Sequence, residues 1–417
     1  MLHQADRMDG GVYQYSLSVI EALMKHEPED DYVIIGPGGD ASNQTQRADI
    51  VSLPQERFSF GEVARKLYAE SSRILPIPLP LLIPFRLTRL GRWHRRNTVA
   101  KTSEWDLLIC PYPTLAGRHM KLPYVVVIHD LMHRYDTVER HPWKEKVFRD
   151  LVYKRGAQGS ILTVVSSDWN KRELHRLYGI PLDKIRVVPE SAPPYLREYK
   201  DMTGSEVDLI LERFQLPRRY VFYPAQFWRH KNHVGLLKAL HRIKKEYQTE
   251  VPAVFVGARK EAFSEVMSLA NELGLASQIT YLGYVSDKEI VALYKRAAAL
   301  VMPSLFNASS IPVVEALALG TCCLCANIAP LPEQVGGAGL LFDPHDETDI
   351  AEKVWRIWTD DSLRHDLLAK GSKRVRERYG PDAFARRWRA IVREAIELCG
   401  SRQRVLSDAG APVEAYK

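Results

Sequence analysis

Cysteine is scarce in this chain: five in 417 residues, at Cys110, Cys322, Cys323, Cys325 and Cys399. They form no even, spaced framework of the kind that staples small secreted domains, so the reading is a reduced, cytosolic protein. Cys322, Cys323 and Cys325 share one short apolar run with no partner Cys or His pair, which favours a buried strand over a zinc site. No secretory leader is visible, and long hydrophobic runs are missing. The longest apolar stretch, Ile74 to Phe85, is broken by Pro76, Pro78, Pro80 and Pro84, which excludes a spanning helix there. No Asp-x-Asp pair stands near any apolar run, so a carboxylate seat for a divalent ion is lacking as well. Acid is absent between Glu70 and Glu104, where seven basic residues fall (Arg73, Arg86, Arg89, Arg92, Arg95, Arg96, Lys101). Setting those seven aside leaves 51 basic against 51 acidic residues, so the net charge of +7 is local.

The length allows two or three domains, and a hydrophobic content of 46% supplies substantial cores. Apolar, β-rich runs recur at α/β spacing: Asp106–Cys110, Tyr124–Ile128, Ile161–Val165 and Ile185–Val188. A second series comprises Tyr220–Tyr223, Ala253–Gly257, Ile279–Leu282, Leu300–Met302, Thr321–Cys325 and Leu340–Phe342. Runs of this kind read as buried parallel strands with helices between them. Pro189 to Gly204, with Pro193 and Pro194, reads as the linker between the two series. Asp31–Gly36 adds one strand near the start, ahead of which Asp9, Gly10, Gly11 and Val12 open a helical pattern. The eight residues before Asp9 do not look like a strand. Arg86, Arg89, Arg92 and Arg96 recur at helical spacing beside Leu87, Leu90 and Trp93. Such a face suits an anionic membrane surface or a lipid-diphosphate acceptor, with a plain solvated helix as the alternative. No nucleic-acid-binding motif accompanies the charge, so a nucleic-acid partner is not expected.

Leu300 to Gly320 carries the most information. An apolar run stops at Pro303, a small polar loop follows to Ser310, and a helix opens near Pro312 and closes at Gly320. Proline just inside a helix start and glycine past its end is the expected asymmetry. The helix N-terminus then faces the carboxyl end of the strand, where free N–H groups and the positive dipole end suit a phosphate. Glu315, one turn into the helix, is placed to accept from ribose hydroxyls. The stretch resembles the signature of the retaining family 4 (group 1) glycosyltransferases, roughly PSxxEGFGxPxxEAxAxG. Pro303, Ser304, Pro312, Glu315, Ala316, Ala318 and Gly320 match it, while Asn307 stands at the first glutamate and Ser310 at the second glycine.

The resemblance implies a GT-B fold, two Rossmann-like domains with parallel sheets facing each other across a cleft. Residues 1–195 would form the acceptor-side domain, its first strand missing or begun late. Residues 205–378 would form the nucleotide-sugar domain, 379–400 a helix crossing back, and 401–417 a disordered tail. It further implies a hexosyltransferase that works without a metal, on a nucleotide diphosphate-sugar and a glycan or lipid-linked acceptor. The segment Gln226 to His233 resembles mannosyltransferases, which points to GDP-mannose, with a UDP-hexose as the other candidate donor. Within that segment Lys231 matches the family lysine on the donor phosphates; the family arginine is not in place, and Arg229 is the candidate substitute. His129, at the end of an apolar run, matches the histidine near the anomeric carbon, and Asn307 would help frame the sugar. Donor contacts would come from Gly10, Gly11, Tyr284, Ser309, Ser310, Ile311 and Glu315. A peripheral membrane contact would use Arg86, Arg89, Arg92 and Trp93. Two rivals stand beside this reading: a nucleotide-sugar epimerase on the same fold, and a non-catalytic nucleotide-sugar-binding partner motivated by Asn307.

Overall fold

The computed structural model describes residues 2–3, 11–26, 33–37, 49–53, 106–135, 142–307 and 309–408. In chain order they begin with β1 (Leu2–His3), α1 (Gly11–His26), β2 (Val33–Pro37), β3 (Asp49–Leu53), β4 (Leu108–Cys110), α2 (Ala116–Met120) and β5 (Tyr124–Val127). There follow α3 (Trp143–Gly159), β6 (Leu162–Val165), α4 (Asp168–Tyr178) and β7 (Ile185–Val187). These strands form one seven-stranded parallel sheet in the order β3-β2-β1-β4-β5-β6-β7.

The short α5 (Tyr195–Tyr199) and α6 (Gly204–Arg213) lead to the second half. It alternates β8 (Val221–Pro224), α7 (His233–Tyr247), β9 (Ala253–Val256), α8 (Phe263–Glu272), β10 (Ile279–Tyr281), α9 (Asp287–Arg296), β11 (Ala299–Met302), α10 (Ile311–Leu319), β12 (Cys322–Ala326), α11 (Leu331–Val335) and β13 (Gly339–Phe342). The sheet order is β10-β9-β8-β11-β12-β13, again all parallel. Helices α12 (Glu347–Thr359), α13 (Asp361–Arg374) and α14 (Pro381–Asp408) complete the described chain. Both halves are Rossmann-like, the architecture that the sequence resemblance implies.

Central strands are buried along their whole length, as Val125, Val126, Val254 and Leu300 illustrate, because helices cover both faces of each sheet. Cys322, Cys323 and Cys325 lie fully inside β12, and none of the five cysteines forms a disulfide. Helix α14 packs Phe384, Trp388, Ile391 and Ala395 into the core beneath the first sheet, where Tyr15 of α1 meets the Phe384 and Trp388 rings. Arg186 on β7 pairs with Glu394 on the same helix.

Several expectations need correction or placement. Leu2–His3 is a strand after all, paired with Ile34 and Ile35 on one side and with Ile109 on the other. Two residues cannot display an alternation, so nothing local announced them; neighbours on both sides hold them. Strand β3 was not read from the sequence either. The last helix continues to Asp408, so residues 401–408 of the expected tail are helical. The basic face with Arg86, Arg89, Arg92 and Trp93, and Gly10, lie outside the described residues.

Candidate active site in the cleft

In each sheet the strand order reverses about its first strand, between β1 and β4 and between β8 and β11. Ligands of open α/β sheets sit at the carboxyl ends of the strands beside such a switch point. The loops that follow β8 and β11 flank it in the second domain, and they are laced together. Leu305 N donates to the His230 carbonyl at 2.8 Å. The Asn232 Nδ2 donates to the carbonyls of Pro303 (3.0 Å) and Pro344 (2.9 Å). Tyr223 on β8 donates to the Lys231 carbonyl (2.8 Å) and shares a hydrogen bond with Ser304 (3.1 Å). Asn232 adopts φ 53°, a left-handed conformation that asparagine tolerates, and its Oδ1 caps α7 through Gly235 N. Lys231 is thereby fixed, half-buried, next to the loop that carries Asn307.

Arg229 departs from this cluster. Its guanidinium reaches Glu265 on α8 at 3.1 Å, in an exposed pair of the kind that holds weakly. Tyr284, 76% exposed beyond β10, offers an open aromatic face, and its hydroxyl accepts from Gln226 at 3.4 Å. That is a platform on which a planar base can stack.

The signature helix forms as its residues dictate. Ser310 caps α10 by accepting from Val313 N, Pro312 sits in the first turn, and Gly320 ends it at φ 72°. Of the amides from Ser309 to Ile311, however, that of Ser310 is engaged: it donates to Gln334 Oε1 at 3.0 Å, and Gln334 Nε2 returns a bond to the Ser310 carbonyl at 2.7 Å. Glu315 is buried with one oxygen accepting from Tyr294 (2.7 Å) and the other from Tyr195, a residue of the linker helix α5. Burial raises its pKa, and the two phenols oppose that rise. Asn307 is only 7% exposed, and its Nδ2 has no partner. Beside it, Phe306 packs against Tyr135 of the first domain, the rings tilted by 36° with centroids 5.4 Å apart. The loop after β11 thus reaches across the cleft to the first domain.

On the opposite wall His129 follows β5. Its Nε2 lies 2.6 Å from the Pro111 carbonyl after β4, so that nitrogen carries the proton, and burial keeps the ring neutral. Tyr15 meets it edge-on at 4.8 Å. Gly11 begins α1. Two carboxylates of the cleft escaped the sequence reading. Glu333 on α11 accepts from the Asp168 and Trp169 amides at the start of α4 (3.1 and 3.4 Å) and from Arg378 (2.6 Å), tying the domains together. Its segment, Leu331 to Gly336, continues the resemblance, so a local signal existed. Glu190, in the linker after β7, is buried between Ser309 and Tyr15, and a lone acid among prolines announces nothing. Among the described residues no group of three or more His, Cys, Asp or Glu side chains could hold a metal ion.

Comparison with known proteins bears on the family and the fold. A family model described as "Glycosyltransferase Family 4" matches residues 10–191, and one described as "Glycosyl transferases group 1" matches residues 212–374. O-antigen chain mannosyltransferase B of Escherichia coli is 28% identical over 267 residues, 63% of this chain and 69% of that protein. The serotype-specific mannosyltransferase WbdA of the same species is 29% identical over 171 residues, 40% of this chain but only 21% of the relative. Among solved structures, Anabaena HepE in complex with UDP-glucose superimposes with a TM-score of 0.69 at 14% identity, covering 94% of this chain and 98% of that one.

Proposed function

Because the chain belongs to the group 1, family 4 glycosyltransferases, with their GT-B fold, we propose that it moves a hexosyl group, mannosyl by preference, with retention at the anomeric carbon. The donor is a nucleotide diphosphate-sugar, GDP-mannose ahead of a UDP-hexose, and the acceptor is a glycan or lipid-linked glycan in surface polysaccharide assembly. No metal takes part. The observation that carries this reading is the lacing of the Lys231 loop to the Asn307 loop at the switch point of the second sheet. Both loops stand at the carboxyl ends of β8 and β11, beside which ligands of open α/β sheets bind.

Lys231 stabilises the charge that grows on the diphosphate as the bond from C1 to the phosphate oxygen breaks. The acceptor oxygen bonds C1 on the face the phosphate leaves, and its proton passes to the departing phosphate oxygen. No protein nucleophile is needed, which suits Asn307, an amide that orients hydroxyls through one acceptor and two donors. His129 frames the sugar from the first domain, with Gly10 and Gly11 beside the acceptor. Ser309, Ser310 and Ile311 line the phosphates, Tyr284 the base. Arg229 reaches the phosphates by leaving its exposed pair with Glu265. The ribose binds Glu315 in exchange for the Tyr195 hydroxyl. Peripheral membrane contact through Arg86, Arg89, Arg92 and Trp93 belongs to the same proposal; no described helix is long and apolar enough to cross a membrane.

The test is to incubate the protein with GDP-mannose and UDP-hexoses and lipid-linked acceptors, with and without EDTA, and to read the anomeric configuration of the product by NMR. Retained configuration, undiminished by EDTA, is expected. Asn307→Ala should lose activity and Asn307→Glu keep a measurable part. Isomerised donor without transfer would favour an epimerase, and an inert wild type in which Asn307→Glu gains transfer would favour a binding partner.

A further inference from the structure

The donor loop from Pro303 to Ser310 contains no acidic residue. A carboxyl group nevertheless faces it. Glu190 leaves the first domain just after β7, is only 8% exposed, and has its Oε2 without a hydrogen-bond partner. Burying a carboxylate oxygen without a donor is costly, so such an atom calls for an explanation in ligand or function. Ser309, two residues beyond Asn307, lines the same cavity as Glu190. Ser166, Ser167, Glu333, Gln334 and Arg378 complete the small cavity in which Glu190 stands. Asn307 likewise leaves its buried Nδ2 without a partner. A sugar hydroxyl both donates and accepts, and these two unpartnered atoms, one on each domain, present an acceptor and a donor.

Building on the glycosyltransferase reading, we infer that Glu190 is a sugar-binding carboxyl of the active site: its Oε2 accepts a hydroxyl of the transferred hexose and supplies from the interdomain linker the charge that position 307 lacks. The contact forms only when both domains enclose the donor, so Glu190 selects the hexose and leaves the nucleotide untouched.

The experiment compares wild type with Glu190→Gln and Glu190→Leu on the full chain. Isothermal calorimetry would measure binding of GDP, of GDP-mannose and of UDP-glucose; transfer rates and thermal melts would be read beside it. In both variants the affinity for the bound nucleotide sugar should fall about tenfold or more while that for its free nucleotide stays within twofold. Transfer kcat/KM should fall at least as far. Glu190→Gln, which keeps the shape and removes the charge, should melt no lower than wild type. Unchanged nucleotide-sugar affinity in Glu190→Gln would overturn the inference, and so would a parallel loss of nucleotide affinity and melting temperature, which marks a structural role. If wild type binds a nucleotide sugar but transfers nothing, the catalytic reading fails, and the calorimetric comparison still decides for or against Glu190.

Discussion

The second-domain wall of the cleft holds its side chains through bonds made among neighbouring loops, whereas the first-domain wall depends on groups that arrive from distant parts of the chain. On the second, Tyr223, Lys231, Asn232, Pro303, Ser304 and Leu305 form one laced unit, so the cation and the donor loop are placed before any ligand arrives. On the first, His129, Tyr15 and Glu190 come from three segments and meet through ring contact and proximity, with a carboxylate oxygen left over. Preorganised donors beside the leaving group act on the transition state, because they require no reorganisation as charge develops. Loosely held acceptors act on recognition of the sugar. The difference teaches that damage to the two walls should be felt in different kinetic constants.

Lys231→Ala puts the largest expected effect on the laced wall. Turnover should fall about 10²-fold or more, with donor affinity changed far less, since the charge on the leaving group grows only in the transition state. Single-turnover rates and nucleotide-sugar titrations measure both, and a full rate in the variant would remove Lys231 from its role.

Asn232→Ala tests the lacing itself. The substitution puts alanine at φ 53° and deletes the side-chain bonds to Pro303, Pro344 and Gly235. Left-handed strain and lost hydrogen bonds together should cost about 2–4 kcal/mol of stability. Thermal or urea unfolding reads this directly. A melting temperature equal to wild type would mean that the Asn232 side chain contributes nothing to holding the loops.

A pH profile sharpens the first wall. Burial, reinforced by the Glu315 carboxylate and opposed by the Ser309 hydroxyl, pushes the Glu190 carboxyl up to about 7. Tyr15 faces it from α1, and Arg378 and Glu333 line the same cavity. On the Glu190 inference, wild-type kcat/KM should fall as pH drops below about 7, because protonation removes the charge, and Glu190→Gln should lack that limb. Stability runs the other way. A folded-state pKa above the ordinary carboxylate value makes the folded chain hold its proton longer, so wild-type stability declines as pH rises from about 4.5 to about 7. Melting temperatures of wild type and Glu190→Gln should therefore diverge across that window in favour of the variant; a constant gap would contradict the assignment.

The smallest effect is expected at Tyr195. Its hydroxyl occupies one oxygen of Glu315, and on the proposed donor pose a ribose takes its place. Tyr195→Phe should tighten nucleotide binding about twofold to fivefold, the value of removing one competing hydrogen bond net of losing it in the free protein. Weaker binding in titration calorimetry would show that the phenol supports the nucleotide site instead.

How much of the site was legible depended on how far apart its parts lie along the chain. Pro303, Glu315, Gly320, Lys231 and Asn232 stand within two short segments, and each has a local physical reason: a strand stop, a helix turn, a left-handed cap, a cation in a tight loop. The occupied Ser310 amide was not legible, because Gln334 lies 24 residues on. Nor was the turn of Arg229 toward Glu265, which needed α8 to pack beside the loop.

By itself the sequence determined most of the alternation of strands and helices, the parallel character of the strands, and the family to which the signature points. These follow from period, propensity and short motifs, which act over a few residues. Only the tertiary structure decided that Leu2–His3 closes the centre of the first sheet and that Glu333 ties the start of α4 to α11. It alone shows that Glu315 is satisfied by phenols and that Glu190 enters the cleft with an oxygen unspent. Each of those outcomes depends on which distant groups share a low-dielectric space, a matter of chain path that no local pattern encodes.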